Sequence, residues 1–155
     1  MSQTVSTVPA VLDAIVAAAR QALPNAEVVD GQPVKGQEDA ADIVCIGFTG
    51  EPGEAAVTSN RTREQMATDP DRESYTITCL ASSWRGHETD PKAVRDAAYA
   101  LIDGVVGALA TDAALEALVM RAMLTTEAFA PEQTTRGAVA TVQFGIHVDA
   151  YAYRR

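Results

Sequence analysis

Between Ala138 and Tyr151, the side chains Val142, Phe144, Ile146, Val148 and Ala150 alternate without a break with Gln143, Gly145, His147 and Asp149. Successive strand side chains point to opposite faces, so the stretch predicts a long strand with one buried and one wet face. Antiparallel sheets commonly carry such strands. The segment Glu73–Trp84 repeats the pattern, with Tyr75, Ile77, Cys79 and Ala81 in one phase and Thr76, Thr78, Leu80 and Ser82 in the other. Gly86 ends it. Two strands of this length commit the chain to a sheet that needs an apolar cover on one side only.

Two segments have the period to supply that cover. From about Pro9 to Leu23, Val8, Leu12, Ile15, Val16, Ala19 and Leu23 recur at steps of three and four, the stripe of an amphipathic helix. Ser6 or Thr7 is placed to cap it, Pro9 suits the first turn, and Pro24-Asn25 stops it. Asp90-Pro91 opens a stronger helix, whose Val94, Ala97, Ala98, Leu101, Ile102, Val105, Val106 and Leu109 make a wide apolar face. Thr111 reads as the cap of a further short helix through Asp112 to Leu118. The remaining strands are Glu27–Asp30, Asp42–Phe48 with both faces buried, and Val119–Phe129, with Pro131–Gly137 as a turn.

One stretch fits none of this. From Thr49 to Arg72 the chain is polar and small, with Val57 and Met66 its only sizeable apolar side chains. A structureless loop of that length is uncommon inside a compact domain. It reads as a protruding arm, with Val57–Ala67 an extended hairpin limb running into the next strand. The element order predicts an α+β fold: a mainly antiparallel β-sheet covered on one face by two amphipathic helices, with a protruding polar arm. At 155 residues the chain is expected to form a single domain spanning 1–155.

Composition narrows the function. With 21 acidic against 12 basic side chains the net charge is −9, which disfavours direct binding to a phosphate backbone. The apolar stretches are broken by charge or glycine, so no membrane segment is expected. Cys45 and Cys79 lie inside apolar runs and read as reduced, buried thiols, with a disulfide between them left open.

The chain carries few residues suited to bond chemistry. A nucleophile needs a base beside it, and the two candidates, His87 and His147, sit in a loop and on the wet face of a strand. Neither lies near the ligand spacing that zinc requires, and the acidic pairs Asp69/Asp71 and Glu51/Glu54 lack a calcium-loop pattern. Gly47, Gly50 and Gly53 lack the lysine and helix of a phosphate loop. Catalytic, cofactor and metal sites are therefore expected to be absent, and surfaces are left as candidates. Arg61, Arg63 and Glu64 lie on the arm, and Trp84 and Arg85 lie at a strand end. Gln133 and Arg136 fall in the Ala130–Arg136 turn, and Tyr151, Tyr153, Arg154 and Arg155 close the chain.

Taken together, VPAVLDAIVAAARQAL, DIVCIGF, the polar excursion, ESYTITCLASSWRGHETDP, KAVRDAAYALIDGVVGAL and the closing GAVATVQFGIHVDAYAY resemble a known family in their order. They are similar to the tail-terminator (tail-completion) proteins of long-tailed bacteriophages of the actinobacterial phage and prophage type, over about Val8 to Tyr153. The resemblance implies a structural ring, a hexamer in that family, that caps the tail tube, stops its polymerisation and joins tail to head. It implies as partners further copies of the chain, the tail tube protein and a head-completion or neck protein, with DNA only passing through the lumen. It places the protein in the virion, at the head-proximal end of the tail, after assembly in the host cytoplasm, with no membrane, no cofactor and no catalytic residues. Another neck or stopper protein of the head–tail joint, or a small cytoplasmic enzyme, are the alternatives.

Overall fold

A computed structural model describes residues 5–37, 40–62, 71–86, 90–115, 118–135 and 137–152. The fold is α+β, with two helices on one face of a six-stranded, mostly antiparallel open sheet. Helix α1 spans Val8–Ala22 and α2 spans Pro91–Thr111. The strands are β1 (Glu27–Asp30), β2 (Asp42–Ile46), β3 (Val57–Thr62), β4 (Asp71–Arg85), β5 (Arg121–Thr134) and β6 (Gly137–Ala152). Their order across the sheet is β1-β2-β4-β6-β5, with only β1 and β2 parallel.

The two alternating segments form the centre of the sheet. β4 and β6 pair antiparallel along their whole length, from Asp71 opposite Ala152 to Arg85 opposite Ala138. Tyr75, Ile77, Cys79 and Ala81 share a face with Val142, Phe144, Ile146, Val148 and Ala150, and all are buried beneath the helices. Leu101, Ile102 and Val105 of α2 cover them, as the helical period requires. On α1 the buried residues are Val11, Ile15, Val16 and Ala19, so the stripe includes Val11, while Val8 and Leu12 are half-buried. The Asp90 side chain accepts from the Lys92 N–H at 2.9 Å and caps α2, as expected. Among the described residues no helix is long and apolar enough to cross a membrane.

Four expectations change. First, the polar stretch is not a free arm where it is described. β2 pairs with residues 79–83 of β4 and β3 with residues 72–77, so both follow one another along the same edge of β4. Residues 47–56 leave the sheet between them, tied at both ends, Phe48 N–H to Thr78 O and Thr78 N–H to Ala56 O, both at 2.9 Å. The remainder of the expected limb, 63–67, lies outside the described residues, as do residues 68–70 of the arm.

Second, no helix starts at Asp112. The Thr111 hydroxyl donates to Gly107 O at 3.0 Å and is spent on the last turn of α2, while Leu115 adopts φ 49 within a turn that reverses the chain into β5.

Third, the turn between the last strands is far shorter than Pro131–Gly137, since Pro131–Thr134 belong to β5 and Gly137, at φ 122, opens β6. Proline is tolerated there for a geometric reason. The Ala122 N–H points away from β6, to Ala113 O at 2.7 Å, so the Ala122–Val148 pair is one whose backbone groups face apart. Alternation along β6 gives Ala140 the same character, and its partner Pro131 therefore owes the ladder no N–H.

Fourth, β2 ends at Ile46. Both of its faces are buried as expected: Val44 and Ile46 in the main core, Ile43 and Cys45 in a small cluster with Val29, Phe48 and Leu80 on the other side of the sheet. Cys45 and Cys79 are both buried and free.

Candidate interaction surfaces

The alternation of β4 carries Glu73 onto the face beneath the helices, in phase with Tyr75 and Ile77, where its side chain is 0% exposed. Its partners come from two segments, the residues just before α1 and strand β3. Thr7, which precedes α1, donates to Oε1 from its N–H at 2.9 Å and from its hydroxyl at 2.6 Å. Ser6 donates to Oε2 at 2.6 Å, and from β3 Ser59 and Arg61 donate to the same oxygen at 3.1 and 3.2 Å. Having given its proton to Glu73, the Thr7 hydroxyl accepts at 2.8 Å from the Tyr75 OH. Burial pushes the Glu73 pKa up, but the hydrogen bonds from Ser6, Thr7 and Ser59 outweigh it and hold the carboxyl below its ordinary value. The anion also sits at the positive end of α1. Of the two expected caps, Thr7 is the N-cap residue of α1 but its side chain makes no cap bond, while the Ser6 hydroxyl accepts from the Val8 N–H at 3.1 Å.

Arg61 therefore does not project from an arm. It lies on the helix-side phase of β3 and reaches Glu73, with 36% of its side chain exposed. Arg63 and Glu64 lie outside the described residues, as do Arg136, His87, Tyr153, Arg154 and Arg155.

Three other sequence candidates come together at the opposite end of the sheet. Arg85 and Gln133 both pair with Ala138, and Trp84 pairs with Val139 in the next row. Arg85 is held within the chain, its Nη1 donating to Asp42 Oδ1 at 2.9 Å and to Ser83 Oγ at 3.0 Å. Trp84 is 36% exposed on the face away from the helices. Beside them runs the exposed part of β5. From Thr125 to Gln133 every residue is exposed, Phe129 included, although its partner β6 is mostly buried. On this half of β5, Tyr99 of α2 meets Phe129 with ring centroids 6.0 Å apart.

The uncovered sheet face is rich in hydroxyls. His147 stands there as expected, between Thr76 Oγ1 on Nδ1 and Ser74 Oγ on Nε2, each at 3.1 Å. Asp149 lies 3.6 Å from Nε2, the same nitrogen that meets Ser74, so the carboxylate does not orient the ring from the opposite side as a serine–histidine relay requires. A shallow hollow of about 230 Å3 beside it is lined by Thr58, Asn60, Ser74, Thr76 and Thr78. On the helical side a groove of about 510 Å3 runs between α1 and α2, lined mainly by Ala14, Ala17, Ala18, Ala22 and Ala108. The helical layer carries exposed charges of both signs, Asp13, Asp96 and Asp103 with Arg20, Lys92 and Arg95, and the open sheet face likewise sets Arg72 and Arg121 against Asp149 and Glu132. Among the described residues no three His, Cys, Asp or Glu side chains gather as metal ligands.

The residues that sequence reasoning missed are Glu73 and its donors Ser6, Thr7 and Ser59. The phase of β4, traced two residues back from Tyr75, already puts a carboxylate in the core. No protein-family model matches this sequence, and no curated protein matches it either.

Proposed function

We propose that the chain is a structural subunit that works by binding copies of itself and other protein surfaces, as the ring that terminates the tail of a long-tailed bacteriophage. The observation that carries this reading is the run Thr125–Gln133, nine residues of a long strand exposed on both faces and bearing an aromatic side chain. A strand that buries so little of itself in the lone chain is suited to being covered by a partner. The order of elements supports the tail-terminator form of the reading, since that order is what the resemblance rests on.

In this reading identical head-to-tail contacts close a ring, most simply of six copies. One side of the ring meets the tube protein and the other a head-completion protein. The net charge of −9 lets DNA pass the lumen without sticking. The protein performs no bond chemistry, so His87→Ala and His147→Ala leave assembly intact. Light scattering at rising concentration tests the reading, together with negative-stain images of the particles and of tails grown without the protein. Rings, and tails of uncontrolled length in its absence, are expected. A monomer at every concentration and on tube ends, with tails of normal length in its absence, overturns it.

A further inference from the structure

The backbone edges of the sheet are protected to different degrees. At β1 the Arg20 guanidinium donates to Val28 O, at 3.4 Å from Nε and 3.3 Å from Nη2, and blunts a strand of only four residues. At β5 the register shift between Leu124 and Thr126, the outward nitrogen of Pro131 and the Ala113 carbonyl on Ala122 all obstruct a strand seeking to pair. β3 differs from both. It is an edge strand held chiefly by polar contacts, since Val57 is half-buried and the other five residues are exposed. Beyond its ladder with β4, it is fastened by Ser59 and Arg61, two residues apart on one face, both on Glu73.

Such a strand can be exchanged, and the seat it occupies selects what replaces it. Glu73 is fully buried, and a strand lying along residues 72–77 without a hydroxyl and a cation in the right phase leaves part of that carboxylate unpaired. Another copy of β3 brings both. We propose that in the assembly β3 leaves its own β4 and pairs with β4 of a neighbouring copy, remaking the Ser59 and Arg61 contacts to Glu73 between chains. This rests on the reading of the chain as a self-assembling subunit, and names the element that joins one copy to the next.

The connections allow it. Residues 47–56 precede β3 and reach up to about 35 Å when extended, and residues 63–70 up to about 28 Å. Gly47, Gly50 and Gly53 hold φ of 80, 104 and 81, so the first connection has hinges where the backbone is not confined to the ordinary regions. Exchange of an identical element costs little in contacts, because every bond broken within one chain is remade with the next.

Thr58 and Thr76 are direct partners on the open face. Paired residues have Cα atoms about 4.5–5.5 Å apart, within reach of a disulfide. The native thiols do not compete, because burial raises Cys45 to about 11 and Cys79 to about 12. The test mixes Thr58→Cys protein with Thr76→Cys protein before assembly, oxidises the mixture gently, and reads non-reducing denaturing gels beside the native mass. Asn60→Cys with Ser74→Cys, also direct partners, is a second pair should either of the first fail to keep the wild-type mass and circular dichroism. Oligomers whose mixed variants give covalent species at twice the chain mass are expected. Oligomers whose mixtures stay uncrosslinked, while the double variant closes within single chains, overturn the exchange and leave self-assembly standing. A wild-type mass that stays monomeric at every concentration overturns both.

Discussion

β6 and β3 lie along opposite edges of the same strand, β4, and they are held there by different physics. β6 pairs over the whole of β4 and buries Val142, Phe144, Ile146 and Val148 under α2. Its attachment is non-directional and grows with the apolar area removed from water. β3 pairs over six residues and buries almost nothing, so beyond its backbone ladder its attachment rests on two donors on one carboxylate. The first kind of contact tolerates changes of pH and salt. The second can be weakened by altering one group, which suits an edge to reversible use and a centre to permanence.

The largest effect is expected at the apolar edge. Phe144 is 1% exposed, and Phe144→Ala is expected to cost about 3–5 kcal/mol. Urea denaturation with an unchanged m-value reads this. A loss under about 1 kcal/mol breaks the claim that this edge is held by burial. Next comes Glu73→Gln, which keeps the shape but removes the charge, at about 1.5–3 kcal/mol for hydrogen bonds to a charged group. Hydrogen exchange is expected to quicken at the amides of residues 57–62 and not at those of β6. Equal acceleration in both strands would mean that Glu73 supports the whole core rather than this edge.

The same residue sets a pH dependence. The folded pKa of Glu73 lies below its unfolded value, about 4.3 for a free glutamate, so its contribution is present above that pH. It is lost as the pH falls through the folded pKa. Acid titration of stability is expected to be shallower in Glu73→Gln than in the wild type, and parallel curves would remove the carboxylate from the account.

An exposed polar contact gives the control for a buried one. Asp90→Ala removes the α2 cap and is expected to cost about 1 kcal/mol with no selective change at β3, again read by urea and exchange. The smallest effect on stability is expected at Phe129, which is 37% exposed. Phe129→Ser should stay within about 0.5 kcal/mol in the monomer while weakening association measured by light scattering. A large loss of monomer stability would show that the Tyr99–Phe129 contact already completes this surface within one chain.

Much of the frame was legible because the governing signals are local. Asp90-Pro91 marks a helix start by its own chemistry, and the alternation from Tyr75 to Ser82 and from Val142 to Ala150 assigns faces without reference to anything distant. What was not legible lay where a local preference is open. Pro131 reads as a turn residue, yet it sits in β5 because its nitrogen falls on the side away from β6. Thr111 reads as the cap of a new helix, yet its hydroxyl turns back to Gly107. The polar stretch holding β3 has no apolar period, so its strand is formed by the edge of β4 and not by its own pattern. Of the candidate surface residues, Arg61 reads in the sequence as a charge on the arm, and only Glu73 explains why it turns inward.

The sequence alone determined which segments form the long strands and the second helix, and which of their faces are apolar, because the periods of 2 and 3.6 are properties of the backbone itself. The tertiary structure decided that β2 and β3 share one edge of β4, that half of β5 stays exposed, and that Glu73 is satisfied by Ser6, Thr7, Ser59 and Arg61. These depend on which groups meet across long separations, 66 residues in the case of Thr7 and Glu73. Only the folded chain brings such groups within hydrogen-bonding distance, and a buried charge forces that meeting to be complete.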